Sequence, residues 1–274
     1  MQTALLLLVA LLSAAHALHM PVTMKPLVKP LPSPVLPQLF VYDHCPFCVR
    51  VRLAFGLKGI KHNVVFLAND DVQTPTALVG KKIAPIFEYA AADIKPMPES
   101  LDIIAKVDSD QTFGPTGVFR PMSGRDDLKK WMAMAKETNS LAQRPRYMMV
   151  PLPEFASRES REAFVTNHPI PPIEKAEWKE KLTSEQRWKA YVASYQESLG
   201  AIDTISSNLL TLDSIIHCAD YCTEGGLSLD DIDLWSRLRS LTLVKGVKWP
   251  KKVLDYMTNL SVKSDVPLYF AMEC

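Results

Sequence analysis

A chain of 274 residues has room for one or two domains and an ample core. Its 31 Lys and Arg balance 30 Asp and Glu at a net charge of +1, and 47% of its residues are apolar, which excludes intrinsic disorder and gives no basic stripe for nucleic acid. Five cysteines are too few for a disulfide scaffold, and an odd number leaves at least one unpaired within the chain.

Residues 1–17 read as a signal peptide. Leu5 to Leu12 forms the apolar core and Ala15-His16-Ala17 fits a small-x-small cleavage site. The run is short for a membrane span, and Pro21 with the proline-rich tract behind it argues against a buried helix. Residues 18–37 carry Lys25, Lys29, six prolines and no acid, so this stretch is expected to be extended. Entry into the secretory pathway is expected. The acid-free segment fits either the second half of a two-part plastid address or a linker in a secreted or lumenal protein, and the mature N-terminus is expected after Ala17 or near Pro37.

Gln38 to Tyr42 is the first predicted strand. It runs through the polar pair Asp43-His44 into Cys45-Pro46-Phe47-Cys48, and from Val49 to Leu57 the pattern is helical, with Val49, Leu53 and Leu57 on one face and Arg50 and Arg52 on others. Two cysteines three positions apart between a strand and a helix form a redox signature. Cys45 would stand at the helix N-terminus, where orphan N–H groups and the positive end of the dipole favour thiolate, the nucleophilic form. Its pKa should fall below the roughly 8.5 of a free thiol, and Cys48, one turn further in, should be shielded. Pro46 suits the first helical turn. The competing readings are a structural disulfide and a zinc half-site. Zinc would need further ligands, for which only His217, Cys218 and Cys222 are candidates.

Asn63 to Leu67 is a second strand, and Thr74-Pro75 is the N-cap and first residue of a short helix reaching Lys81. Ile83 to Phe87 is a third strand with Pro85 near its start, where an edge strand with a trans proline is the plain alternative. A fourth strand is expected between Ala90 and Lys95. Glu99-Ser100 then opens a helix through Val107, both residue types being ordinary caps.

Gln111 to Met122 reads as a linker. Beyond it the pattern is helical. Ser123 to Asp126 is a capping-type start, followed by Leu128, Trp131, Met132 and Ala135 on one face. A break from Tyr147 to Pro153 precedes a helix from Ser157 to Val165. A long helix is expected from Ser184 to Ile216, bent at Gly200, with Trp188, Tyr191, Val192, Tyr195, Leu199, Ile202, Leu209 and Ile216 as its core stripe. Ser228 caps a helix, with Asp231 answering at N3 and Leu227 stapling to Ile232. Lys245 to Pro250 ends that helix and Trp249-Pro250-Lys251 begins the last one. Cys274 is expected to be exposed.

The runs Tyr42 to Cys48, Phe55 to Lys58, Asn69-Asp70-Asp71, Thr74-Pro75-Thr76, Met97 to Ile103 and Leu241 to Pro250 resemble the bacterial glutaredoxin 2 family, over about residues 38 to 270. The resemblance implies an α/β thioredoxin-like N-terminal domain, residues 38–113, followed by an all-α glutathione transferase C-terminal-like domain, residues 123–274. It implies glutathione-dependent thiol–disulfide exchange, with Cys45 attacking and Cys48 resolving. By the same resemblance Pro85 is a cis-proline facing the cysteines. Tyr42, Pro46, Phe47, Ala84 and Pro85 would contact glutathione, and Glu99 with Ser100 would hold its γ-glutamyl end. The expected co-substrate is glutathione and the expected partners are disulfide-bearing proteins. No metal, nucleic acid or membrane partner is expected for the mature chain, which is expected to be a monomer.

Two other functions share parts of this pattern. A glutathione transferase of other chemistry, such as conjugation or dehydroascorbate reduction, has less use for a resolving thiol. A non-catalytic or membrane-inserting glutathione-binding module would need an apolar segment able to leave the fold, and no uninterrupted span follows the leader.

Overall fold

The computed structural model describes residues 35–91, 93–168 and 182–274. The expected signal peptide and nearly all of the proline-rich segment after it lie outside the described residues. From residue 36 onward the chain forms one compact unit. Its first part is a four-stranded sheet in the order β2-β1-β3-β4. β1 (Gln38–Val41) pairs parallel with β2 (Asn63–Phe66) and antiparallel with β3 (Ile86–Glu88), and β4 (Met97–Pro98) pairs with β3. The alternation of β1 assigns its two faces. Leu39 and Val41 enter the main core with α1 (Pro46–Leu57), whereas Phe40 joins Leu67 and Ile86 on the other face, close to α2 (Gln73–Val79).

α1 is buried along every residue from Cys48 to Phe55, Arg50 and Arg52 included. The cause is its position: α3 (Ser100–Ser109) packs on one side, and α8 (Leu229–Leu238) and α9 (Lys251–Ser264) of the helical part pack on others. A helix enclosed on all sides has no solvent face. Gly56 marks the closest approach, since a Cβ there would stand 1.8 Å from the carbonyl oxygen of Ser264. The helical part also contains α4 (Asp126–Tyr147), α5 (Arg158–Asn167), α6 (Ser184–Gly200) and α7 (Ile202–Ile215). Its core is continuous with that of the sheet, with Trp235, Tyr256 and Leu260 in the same cluster as Leu39 and Phe55.

Several local expectations are corrected. The fourth strand lies at Met97–Pro98, not between Ala90 and Lys95. Thr74 is not a cap; Val72 holds the N-cap position, and the Asp71 carboxylate accepts the Thr74 N–H at 2.9 Å. Arg125, not Ser123, occupies the N-cap position of α4, which runs on through Pro145 to Tyr147. The long helix is two helices, joined at Ala201. Its proposed stripe does not hold in α6, where Val192 and Leu199 are exposed and the buried face is Arg187, Tyr191, Ser194 and Ser198. At Ser198 the reason is a polar contact: Arg146 is buried on α4 and donates to Ser198 Oγ at 2.9 Å and to the main-chain oxygen of Cys274 at 2.7 Å. Cys274 is therefore half-buried, its main chain also pairing with Leu243 and Lys245.

The Ser228 cap is present at the head of α8. Asp231 Oδ2 accepts from the Ser228 N–H and Oγ, both at 2.9 Å, while Oδ1 accepts the Cys222 N–H at 2.7 Å. That helix ends at Leu238 in a tighter turn from Arg239 to Leu243, well before Lys245. The stretch read as a linker is tied down: Arg120 bridges to the strand-like segment at Ser228.

Candidate active site

Cys45 occupies the N-cap position of α1, and its carbonyl accepts the first helical hydrogen bond, from Val49 N–H at 2.9 Å. Pro46 follows in the first turn, where its missing N–H costs nothing. Cys45 is half-buried and Cys48 fully buried, and both are free thiols. The Cys48 sulfur accepts the Tyr42 N–H at 3.3 Å.

The two thiols are driven apart in acidity. The hydrogen bond from Cys48 brings Cys45 down to about 6. Burial opposes this, and the neighbouring His44 with the N–H groups of Cys48 and Phe47 adds to it. Burial pushes Cys48 well above the ordinary thiol value, and its proximity to Cys45 reinforces this. One thiol is thus poised to ionise while the other keeps its proton, the arrangement expected of an attacking and a resolving sulfur. Arg50 and Arg52 are not the source of positive potential that their nearness in sequence suggests. Arg50 Nε donates to Asp233 at 3.0 Å, and Arg52 pairs with Asp43.

The Ala84–Pro85 peptide bond is cis, and Pro85 is buried. The antiparallel register pairs Phe40 with Ile86. The cis bond thus lies immediately before β3, near the end of β1 from which the cysteine loop departs. Tyr42 Oη is buried with no hydrogen-bond partner among the described residues. Glu99 stands at the N-cap position of α3 with φ of 75°, but its side chain makes no cap; it is exposed, 3.5 Å from Lys81 Nζ. Ser100 is buried as the first residue of that helix. Phe47 is half-exposed, with the Arg50 guanidinium 4.8 Å from its ring centre. Pro46 and Phe47 line a cleft of about 480 Å³, closed on its far side by Trp131, Lys136, Arg144 and Tyr147 of α4 and by Ser240.

Two residues just before Cys45 carry more than the sequence suggests. Asp43 is buried, and its carboxylate receives Arg52, Arg239 Nη2 at 3.2 Å and Tyr269 Oη at 2.7 Å. His44 meets Glu154, a fully buried residue of the turn Pro153–Phe155, with Nδ1 2.6 Å from Oε1. The polar pair Asp43-His44 was the visible signal; nothing local marks Glu154, Arg239 or Tyr269 as its partners. His217 and Cys218 are joined to Cys222 and Tyr221 by main-chain hydrogen bonds only, and no group among the described residues is arranged to hold a metal ion.

Residues 127–273 match the family model "Glutaredoxin 2, C terminal domain", and residues 39–115 match "Glutathione S-transferase, N-terminal domain". The chain is 34% identical to glutaredoxin 2 of Escherichia coli K12 over 239 residues, covering 86% of this chain and 99% of that protein. Among solved structures it matches glutaredoxin 2 of Salmonella typhimurium in complex with glutathione, at a TM-score of 0.72 and 31% identity over 87% of this chain and 99% of the other. FzlA of C. crescentus, at 14% identity and a TM-score of 0.51 over 84% of this chain and 89% of that one, shares the fold. With a thioredoxin-like sheet, a helical second half and this degree of identity along nearly its whole described length, the chain belongs to the glutaredoxin 2 family, a family of glutathione-dependent oxidoreductases.

Proposed function

We propose that the protein reduces protein disulfides and glutathione mixed disulfides by a dithiol mechanism, with glutathione as the final reductant. The observation that carries this reading is the pair itself: a half-buried free cysteine at the N-cap of α1 and a fully buried free cysteine one turn away, a placement that lowers the first thiol to about 6 and raises the second. The Cys45 thiolate attacks one sulfur of the substrate disulfide. The substrate S–S bond breaks, and the departing thiolate takes the electron pair and then a proton from water. Cys48 loses its proton and attacks the Cys45 sulfur, releasing the second substrate thiol and closing a Cys45–Cys48 disulfide. One glutathione reopens that bond as a mixed disulfide on Cys45, and a second leaves with the first as glutathione disulfide. A glutathione mixed disulfide needs only Cys45 and one further glutathione.

The related Salmonella protein was solved with glutathione, which supports its use here. In this reading Tyr42, Pro46, Phe47, Ala84 and Pro85 hold the cysteinyl part, with the main chain at Ala84–Pro85 pairing to it. Glu99 and Ser100 take the γ-glutamyl end at the head of α3, where a helix N-terminus suits its carboxylate. The cleft beside Phe47 receives the disulfide partner. In this reading the protein works as a monomer. The leader-like first 17 residues further suggest passage through the secretory pathway, to a lumen, the exterior or a plastid; imaging a C-terminally tagged chain tests this.

Hydroxyethyl-disulfide reduction, run beside a conjugation assay, tests the chemistry. Cys45→Ser should abolish reduction. Cys48→Ser should keep activity on glutathione mixed disulfides and lose most of it on protein disulfides. Retained reduction by Cys45→Ser, or conjugation as the dominant activity, rejects the reading.

A further inference from the structure

His44 is held at two points by one carboxylate. Its main-chain N–H donates to Glu154 Oε1 at 2.9 Å, and its Nδ1 lies 2.6 Å from the same oxygen. A carboxylate oxygen accepts, so Nδ1 donates to Glu154 and Nε2 lies outside this contact. The ring is boxed by Tyr147, Phe155 and Phe164, with centroids 4.6, 5.1 and 5.3 Å away, and it cannot turn out of this contact without displacing them.

Glu154 is a poor choice for stability alone. It is fully buried, and its Oε2 has no hydrogen-bond partner among the described residues. A buried carboxylate with an unpaired oxygen is costly, and a neutral side chain of similar volume would fill the site with less desolvation. The residue it holds is the one immediately before Cys45, and it reaches there from the helical half of the molecule.

We propose that Glu154 is a positioning residue for the Cys45 thiolate: it fixes the main chain and ring of His44 so that the imidazole stands beside the reacting sulfur, oriented and able to carry positive charge. The proposal rests on Cys45 being the nucleophile. Its sign is open to test, because a carboxylate acting directly on a thiol works the other way. The charge of Glu154 pushes the Cys48 thiol up. Direct action on Cys45 would do the same, so removing the charge would make Cys45 more acidic. Action through His44 predicts the reverse, since the imidazole charge lowers Cys45. The other titratable or charged groups around this pair are Cys48 on α1, Tyr42 just after β1, Tyr147 and Arg144 on α4, and Asp43 with Arg239 and Tyr269.

The experiment is iodoacetamide labelling of the full chain against pH, with mass spectrometry to identify the modified cysteine, in the unaltered protein, Glu154→Gln, His44→Gln and the double variant. Glu154→Gln should raise the Cys45 midpoint by about one pH unit, slowing labelling several-fold near pH 6. His44→Gln should raise it at least as much, and the double variant no further than His44→Gln alone. A midpoint that stays or falls in Glu154→Gln, or an equal rise when Gln replaces Glu154 in the His44→Gln background, overturns the proposal while leaving Cys45 as the nucleophile. Labelling of Cys48 first in the unaltered chain overturns the nucleophile assignment, and the proposal with it. If Glu154→Gln does not fold, ¹⁵N NMR of the His44 ring in the unaltered protein decides: the Nδ1–H tautomer is expected, and a neutral ring protonated at Nε2 rejects the contact.

Discussion

Replacing Asp43 with Asn should destabilise the protein by about 3 kcal/mol, an estimate built from what the carboxylate leaves behind. Asp43 is buried, and the Arg239 guanidinium that meets it is 1% exposed. Breaking a buried pair by removing one partner typically costs about 3–5 kcal/mol, because the remaining charge is stranded. Three features place this case at the low end. Arg239 keeps the Asp43 carbonyl at 2.7 Å, the Pro267 carbonyl at 2.8 Å and Tyr269 Oη at 2.6 Å. Arg52 keeps its place 5.4 Å over the Phe66 ring. Asn still accepts one hydrogen bond. The control is Asp255→Asn, whose partner Lys251 is 87% exposed, a pair worth at most about 0.5 kcal/mol. Urea unfolding followed by tryptophan fluorescence and circular dichroism measures both. Acid adds an independent reading. Burial pushes the Asp43 carboxyl up, but Arg239, Arg52 and the Tyr269 hydroxyl outweigh it and leave it below the usual carboxylate value. A depressed folded pKa gives stability that is present above the unfolded value, about 3.9, and lost as pH falls through the folded one. The unaltered protein should therefore lose stability below about pH 4 more steeply than Asp43→Asn does. A loss in Asp43→Asn no larger than in Asp255→Asn would refute the reasoning.

Gly56→Ala places a methyl group 1.8 Å from the Ser264 carbonyl oxygen, a main-chain atom that cannot step aside, so α1 and α9 must separate. A fall in stability of about 2 kcal/mol or more is expected by thermal unfolding, and an unchanged Tm would mean the two helices are less closely packed. Ser228→Ala removes one of the donors to Asp231 Oδ2 and should cost about 1 kcal/mol in the same assay, since the main-chain N–H of residue 228 still reaches that oxygen.

The sequence carried those parts of the fold that are encoded locally. The strand before Cys45 and the helix after it follow from period-two and period-3.6 patterns. Ser228 with Asp231 is a cap that needs no tertiary knowledge. What failed did so because tertiary contacts decided it. Ser198 looks like a solvent-facing residue, and it is buried because its hydroxyl accepts from Arg146; Ser194, one turn earlier, is buried with its hydroxyl unpaired among the described residues. Pro98 pairs as a strand because β3 lies beside it, although its sequence gives little β signal. The surroundings of Arg50 and Arg52 were not legible because a local pattern does not show that α1 is enclosed on every side. At the site, both cysteines could be ranked from their place on the helix alone. Glu154 lies 110 residues from the histidine it holds, at a distance no periodicity spans.

The same contacts explain why the helical half accompanies the thioredoxin-like half. Among the described residues, the ion pairs of Arg50 with Asp233 and of Asp43 with Arg239 run between the halves, and all four side chains are at most 10% exposed. Separating the halves would cost Arg50 and Arg239 their carboxylate partners, since Asp43 would keep Arg52 and Asp233 would keep Arg237, besides exposing the apolar wall that α1 presents to α8 and α9. The boundary that is plain in the sequence between residues 113 and 123 is therefore not a boundary in energy. Both pairs also sit next to the chemistry. Arg50 lies two residues after Cys48, and Asp43 two before Cys45, so the charges that bind the halves together fix the backbone on either side of the Cys-x-x-Cys turn. A solvent-exposed loop would let the N-cap geometry at Cys45 fluctuate and its N–H partners drift. Held from both ends, it keeps the first-turn N–H groups, the Cys48 thiol and the His44 ring around one sulfur, which is the arrangement that lowers its pKa.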